Sequence, residues 1–205
     1  MRIPAQAFTA PSLSAAMARD PILSTRHPRT GPAPTLKITK TAKEATDAIG
    51  GINRGDALQL VGMDSWTIEG ILMRLLDRMG SAHMTIAVWT FEGSAGQRLL
   101  VPIGDGRILS FRAIIDLAYR VSADPMVRRI QAAMPSADVR IARTHAKLYL
   151  LGNDEWSFVV EASANLASYR TLESCQITEG RALLDFHLAW YADAIEQAQP
   201  FQAFF

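Results

Sequence analysis

The sequence is short of most features that mark a specialised class of protein. It contains one cysteine, Cys175, so no disulfide can close within the chain, and a reducing compartment is the simplest expectation. No apolar run reaches the roughly 18 to 20 residues that a membrane helix needs, and the first 25 residues hold no signal-peptide core. The net charge is only +1, too close to neutral for a protein that lives on non-specific binding to polyanions. A local basic patch could still serve nucleic acid. Lysine is scarce as well: after Lys43 the only one is Lys147, and every other cation in that stretch is arginine. What remains is a cytoplasmic globular protein of 205 residues, 49% hydrophobic and 20% charged, long enough for one domain with a substantial core.

Residues 1–36 differ from the rest. They hold Pro4, Pro11, Pro21, Pro28, Pro32 and Pro34 with four arginines, and no period of helix or strand persists, so a disordered N-terminal arm is expected. Residues 37–205 read as a single domain in which strand-like and helix-like segments alternate. Ala57 to Gly62 is strand-like. Asp64 or Ser65 then caps a helix with the stripe Ile68, Ile71, Leu72, Leu75, Leu76 and Met79, closed by Gly80. Met84 to Phe91 and Ile108 to Asp116 follow as strands, and Gly93 to Gly106 between them is loop-like with room for a helical turn around Gln97 to Leu100. Asp124-Pro125 opens a helix that stops at Pro135, and Asp138 to Ala142 leads into a strand from Thr144 to Leu151. A Gly152-Asn153-Asp154 turn returns Ser157 to Ala162, Ser174 to Thr178 is a last strand, and a helix from Gly180 to Gln197 closes the chain. The expected fold class is α/β (mixed α+β), a mixed sheet covered by helices on both faces.

The chemistry concentrates between residues 144 and 173. His145 and Lys147 are two apart in a β-prone run, which places both on one face of a strand. The next β-prone run delivers Ser163 and Asn165, and Glu173 follows. Such a set suits attack on a phosphate ester. A neutral imidazole can take the phosphoryl group covalently, lysine and asparagine can hold the non-bridging oxygens, and a carboxylate can fix the ring tautomer. No metal or other cofactor is needed. The loops Gly93 to Gly96 and Gly104 to Gly106 carry no nucleotide fingerprint, and Cys175 reads as a small buried residue.

These residues resemble the motif of the phospholipase D superfamily, the HKD phosphodiesterases. Its H-x-K matches His145-Ala146-Lys147, its G-S-x-N matches Ala162-Ser163-Ala164-Asn165 with alanine for glycine, and its later glutamate matches Glu173. The motif aspartate falls on Gly152, with Asp154 two residues later as the candidate supporting carboxylate. The resemblance is specific over about residues 105–180 and implies the phospholipase D-like fold. It also implies His145, Lys147, Asn165 and Glu173 as catalytic residues, and Ser163, Trp156, Tyr169 and Arg170 as substrate contacts. The two-step reaction uses two histidines and this chain has one such motif, so the second His145 is expected from another copy in a homodimer. Small single-motif relatives resemble endonucleases, and no amphipathic membrane-binding stretch is evident. The expected partner is therefore nucleic acid, DNA ahead of RNA. Two other readings stay open: an inactive nucleic-acid-binding or assembly protein with this fold, and a lipid or small-diester phosphodiesterase.

Overall fold

The computed structural model describes residues 33–91, 93–166 and 172–201. In chain order it runs β1 (Thr35–Thr39), α1 (Ala42–Gly50), β2 (Ala57–Met63), α2 (Ile68–Met79), β3 (Ala82–Val88), α3 (Gly93–Gly104) and β4 (Ile108–Asp116). A short 3-10 turn, Leu117–Tyr119, enters α4 (Arg120–Ala133), followed by β5 (Asp138–Ala142), β6 (Lys147–Gly152), β7 (Ser157–Ala162), β8 (Leu172–Glu179), α5 (Arg181–Gln197) and β9 (Gln199–Pro200). The strands form one mixed sheet in the order β1-β2-β8-β7-β6-β3-β4-β5-β9. β3, β4 and β5 are parallel to one another, whereas β6, β7, β8 and β2 alternate in direction.

Strand alternation divides the sheet into two apolar faces. Met84, Ile86 and Val88 of β3, Phe111, Ala113 and Ile115 of β4, and Tyr149 and Leu151 of β6 face one way and pack with α1 to α4. Ala87, Ile114, Leu148, Leu150 and Val159 face the other way, beneath Leu184 and Tyr191 of α5. The α2 stripe explains why that helix forms where it does. Ile68, Ile71, Leu72, Leu75, Leu76 and Met79 are all buried, each contributing about 1.5–3 kcal/mol by leaving water. Its N-cap is Thr67, whose hydroxyl accepts from Gly70 N–H, rather than Asp64 or Ser65. Asp64 instead takes a positive φ of 56° to turn the chain out of β2. Cys175 is buried at 2% exposure, and burial pushes its thiol up to about 12.

Several elements depart from the sequence reading. The expected loop after β3 is the helix α3, which accommodates Pro102 and buries Leu99 and Ile103. α4 starts at Arg120, before Asp124-Pro125, because the preceding 3-10 turn is capped by Asp116. β1 and α1 were not expected; Thr35 and Leu36, counted with the arm, belong to β1, and the rest of the arm up to residue 32 lies outside the described residues. Among the described residues no helix is long and apolar enough to cross a membrane.

Candidate active site

One edge of the sheet gathers the polar residues that the motif singled out. β3, β4, β5 and β7 end at this edge, and β6 and β8 begin there, so residues far apart in sequence meet without any one loop supplying them all. His145 lies in the 143–146 connection between β5 and β6, two residues before the strand, and not within it as the spacing suggested. Asp116 sets that connection. One carboxylate oxygen accepts the Thr144 N–H at 2.8 Å and the other accepts Ala118 N–H at 2.9 Å, and Thr144 Oγ1 in turn accepts Ala146 N–H at 3.1 Å.

Lys147 opens β6 and bends back over the histidine. Its Nζ stands 3.3 Å from Nδ1 and 3.4 Å from Nε2 of His145 and donates to the His145 carbonyl at 3.1 Å. Trp89, the residue after β3, backs both groups. Its ring lies 5.0 Å from the imidazole and 5.4 Å from the Lys147 ammonium, and Tyr119 meets it edge-on at 4.8 Å. The imidazole itself is exposed. Partial burial pulls the Lys147 ammonium below the usual lysine range, while the Glu173 charge opposes that shift. A shallow groove of about 580 Å3 opens beside His145, between Trp89, Asp116, Arg143 and Thr144.

Ser163 and Asn165 follow β7 at the same edge. The Asn165 side-chain oxygen accepts Thr90 N–H at 3.3 Å, which turns its NH2 donors away from the sheet backbone. Tyr149, wholly buried one strand repeat below Lys147, donates its hydroxyl to the Ala164 carbonyl at 3.1 Å and so ties β6 to the loop carrying Asn165. Burial, with the Glu173 and Glu69 charges adding to it, raises the Tyr149 phenol well above its ordinary value. Ser163 Oγ donates to a Glu173 carboxylate oxygen and accepts Ser174 N–H at 3.0 Å. The Glu173 carboxylate thus accepts from Ser163, and the His145 ring nitrogens are in contact with Lys147.

Two expected residues stand elsewhere. Asp154 and Trp156 occupy the β6–β7 turn, a full strand length, roughly 17–20 Å, from the His145 edge. Asp154 is exposed, and Trp156 stacks on Phe158 at 5.5 Å with the Arg54 and Arg78 guanidinium groups over its ring at 4.8 Å and 4.5 Å. They contribute to the opposite end of the hairpin. At Gly152 a Cβ would come within 2.8 Å of Leu184 Cδ2, so a motif aspartate there would require the Leu184 side chain of α5 to shift. Tyr169 and Arg170 lie outside the described residues. Trp89, Asp116 and Tyr149 were not singled out in the sequence, because each is a strand or strand-end residue with no local motif. Among the described residues no three of His, Cys, Asp and Glu converge on a metal-sized space.

The mixed sheet, the helices on its two faces and the histidine–lysine edge define a phospholipase D-like fold. The solved structures that share it include Nuc from Salmonella typhimurium, a phospholipase D family member, with a TM-score of 0.55 and 14% identity over 72% of this chain and 100% of that one. NucT from Helicobacter pylori superposes with a TM-score of 0.51 at 14% identity, over 71% of this chain and 100% of NucT. A polyphosphate kinase from Porphyromonas gingivalis also matches, with a TM-score of 0.51 and 10% identity, but this chain covers only 26% of it. No protein-family model matches the sequence, and no curated protein matches it.

Proposed function

We propose that this chain is a metal-independent phosphodiesterase that cleaves nucleic acid through a phosphohistidine, in a site shared by two copies. The observation that carries the reading is the Lys147 ammonium 3.3–3.4 Å from both ring nitrogens of an exposed His145, with Asn165 and Glu173 at the same sheet edge. A ring nitrogen of His145 attacks phosphorus, and the P–O bond to the leaving strand breaks as the leaving oxygen takes a proton from the partner copy's imidazolium. That second ring then removes a proton from water, whose oxygen displaces the His145 nitrogen and releases a phosphomonoester. Lys147 and Asn165 hold the non-bridging oxygens throughout. Glu173 accepts the remaining ring N–H after one of the two side chains rotates, since Ser163 engages it in the resting arrangement. Family analogy, with a phospholipase D family member among the fold neighbours, supports a nucleic-acid substrate, DNA ahead of RNA.

The homodimer is supported by a sheet face that the described residues leave half covered. On the α5 side, α5 lies over the central strands, while the same face of β1, β2 and β8 presents Leu36, Ile38, Met63 and Leu172 at 73%, 80%, 62% and 65% exposure. Met63 and Leu172 pair directly across β2 and β8 at the His145 end of the sheet, and an exposed apolar surface of this kind suits a second copy of the chain.

Cleavage of supercoiled and single-stranded DNA in excess EDTA tests the reading. Metal-free nicking that His145→Ala abolishes supports it. The runner-up, an inactive nucleic-acid-binding protein, is favoured by the loss of the motif aspartate at Gly152. It is identified by binding without cleavage that His145→Ala leaves unchanged. Turnover of small diesters without nucleic-acid affinity marks the lipid or small-diester reading.

A further inference from the structure

A second polar site lies at the other end of the sheet. The face under α5 is apolar where the helix covers it, yet its uncovered corner carries His83 and Thr85 of β3 beside Ser110 and Arg112 of β4. The strand register fixes their adjacency: His83 pairs with Ser110 and Thr85 with Arg112, all four on the α5 side. His83 Nδ1 and Ser110 Oγ are hydrogen-bonded at 2.8 Å. The Arg112 guanidinium rests 5.5 Å from the Tyr191 ring centroid and makes no ion pair among the described residues; its cross-strand neighbour Asp138 is paired instead with Arg140 at 2.6 Å. These groups line a cleft of about 610 Å3 whose opposite rim is the β6–β7 turn with Asp154 and Glu155.

We infer that this cleft binds a small phosphate monoester whose far end carries hydrogen-bond donors, a nucleoside monophosphate being of the right size and polarity. The Arg112 guanidinium and the hydrogen-bonded His83–Ser110 pair form a donor set for one phosphate group. That pair keeps one outward donor in either tautomer of a neutral ring, and the guanidinium with its planar fork is the strongest member. The acidic rim repels an extended polyanion such as a nucleic-acid strand and accepts the amino edge of a base. The site is independent of the His145 chemistry: Gly152 and Lys147 stand at opposite ends of β6.

The test uses the full chain carrying Lys147→Ala, so that anion binding at the His145 edge is weakened. It is titrated with adenosine monophosphate and, separately, with inorganic phosphate, by calorimetry and by the NMR signal of the His83 ring proton. Saturable binding that moves the His83 signal is expected, tighter for the nucleotide than for phosphate. Adding Arg112→Gln should weaken it about tenfold or more, and Ser110→Ala less, as loss of charged and neutral hydrogen bonds requires. Because Arg112 also packs on Tyr191, circular dichroism checks that the Arg112→Gln fold is kept, and Ser110→Ala carries the test if it is not. No saturable binding up to about 10 mM, equal affinity for the two ligands, or binding unchanged by both substitutions would overturn the proposal.

Discussion

Lys147 Nζ lies nearly equidistant from the two ring nitrogens of His145, at 3.3 and 3.4 Å, and is fixed there by the His145 carbonyl at 3.1 Å. The lysine thus shares a position with the imidazole instead of reaching past it. Both side chains are accessible and neither fills the core. His145→Ala and Lys147→Ala should therefore each lower cleavage about 1,000-fold while leaving the melting temperature close to that of the parent. Rates and thermal unfolding on the same preparations check the separation.

Activity should fall on the alkaline side earlier than an ordinary lysine would cause. Burial depresses the Lys147 ammonium, so the charged form is lost below the usual lysine range as pH rises. The pH profile of kcat/KM should show this descending limb. Lys147→Arg should remove it, at a reduced plateau, because the guanidinium keeps its charge but misplaces it.

Trp89 should matter through the two groups it backs. Replacing it with alanine removes the ring behind the imidazole and the ammonium, an interaction of roughly 0.5–1 kcal/mol, which corresponds to a loss of about 2- to 5-fold in kcat/KM. Trp89→Phe should recover part of this. Full activity in Trp89→Ala would show that the ring is only a wall.

Tyr149→Phe deletes one buried hydrogen bond and leaves the Ala164 carbonyl without that donor, at a cost of about 1–2 kcal/mol. The loop bearing Asn165 then loses its tie to β6. Activity should decline through weaker phosphate binding, read as a higher KM, together with a lowered midpoint of denaturant unfolding.

His187 supplies a pH dependence of stability on the opposite face. Trp190 Nε1–H donates to its Nδ1 at 3.0 Å, and burial lowers its pKa below the ordinary 6.5, partly offset by the Glu161 charge. A depressed base binds protons more readily in the unfolded chain. The contribution is therefore complete above about pH 6.5 and is lost as pH falls from there toward the folded value. Melting curves between pH 8 and 5 should show the parent losing on the order of 2 °C more than His187→Gln.

Much of the architecture was legible because period and burial agree. The α2 stripe repeats at helical spacing, and the β6–β7 hairpin is announced by Gly152-Asn153-Asp154. α3 was hidden by Gly93, Gly96, Gly104 and Pro102, although Leu99 and Ile103 give it a buried side. β1 was hidden for the opposite reason: its apolar Leu36 and Ile38 point outward. At the site the histidine–lysine pair could be read from two-residue spacing, but Trp89 and Asp116 could not. They reach His145 only because β3 and β4 end side by side, a fact of topology with no local trace in composition.

If two copies pair over the face that α5 leaves bare among the described residues, dilution acts as an inhibitor. If each subunit owns one of the two reacting rings, a solitary subunit cannot turn over, and below the dissociation constant of the pair the rate scales with the square of protein concentration. Cells could then silence the proposed activity simply by making little of the protein.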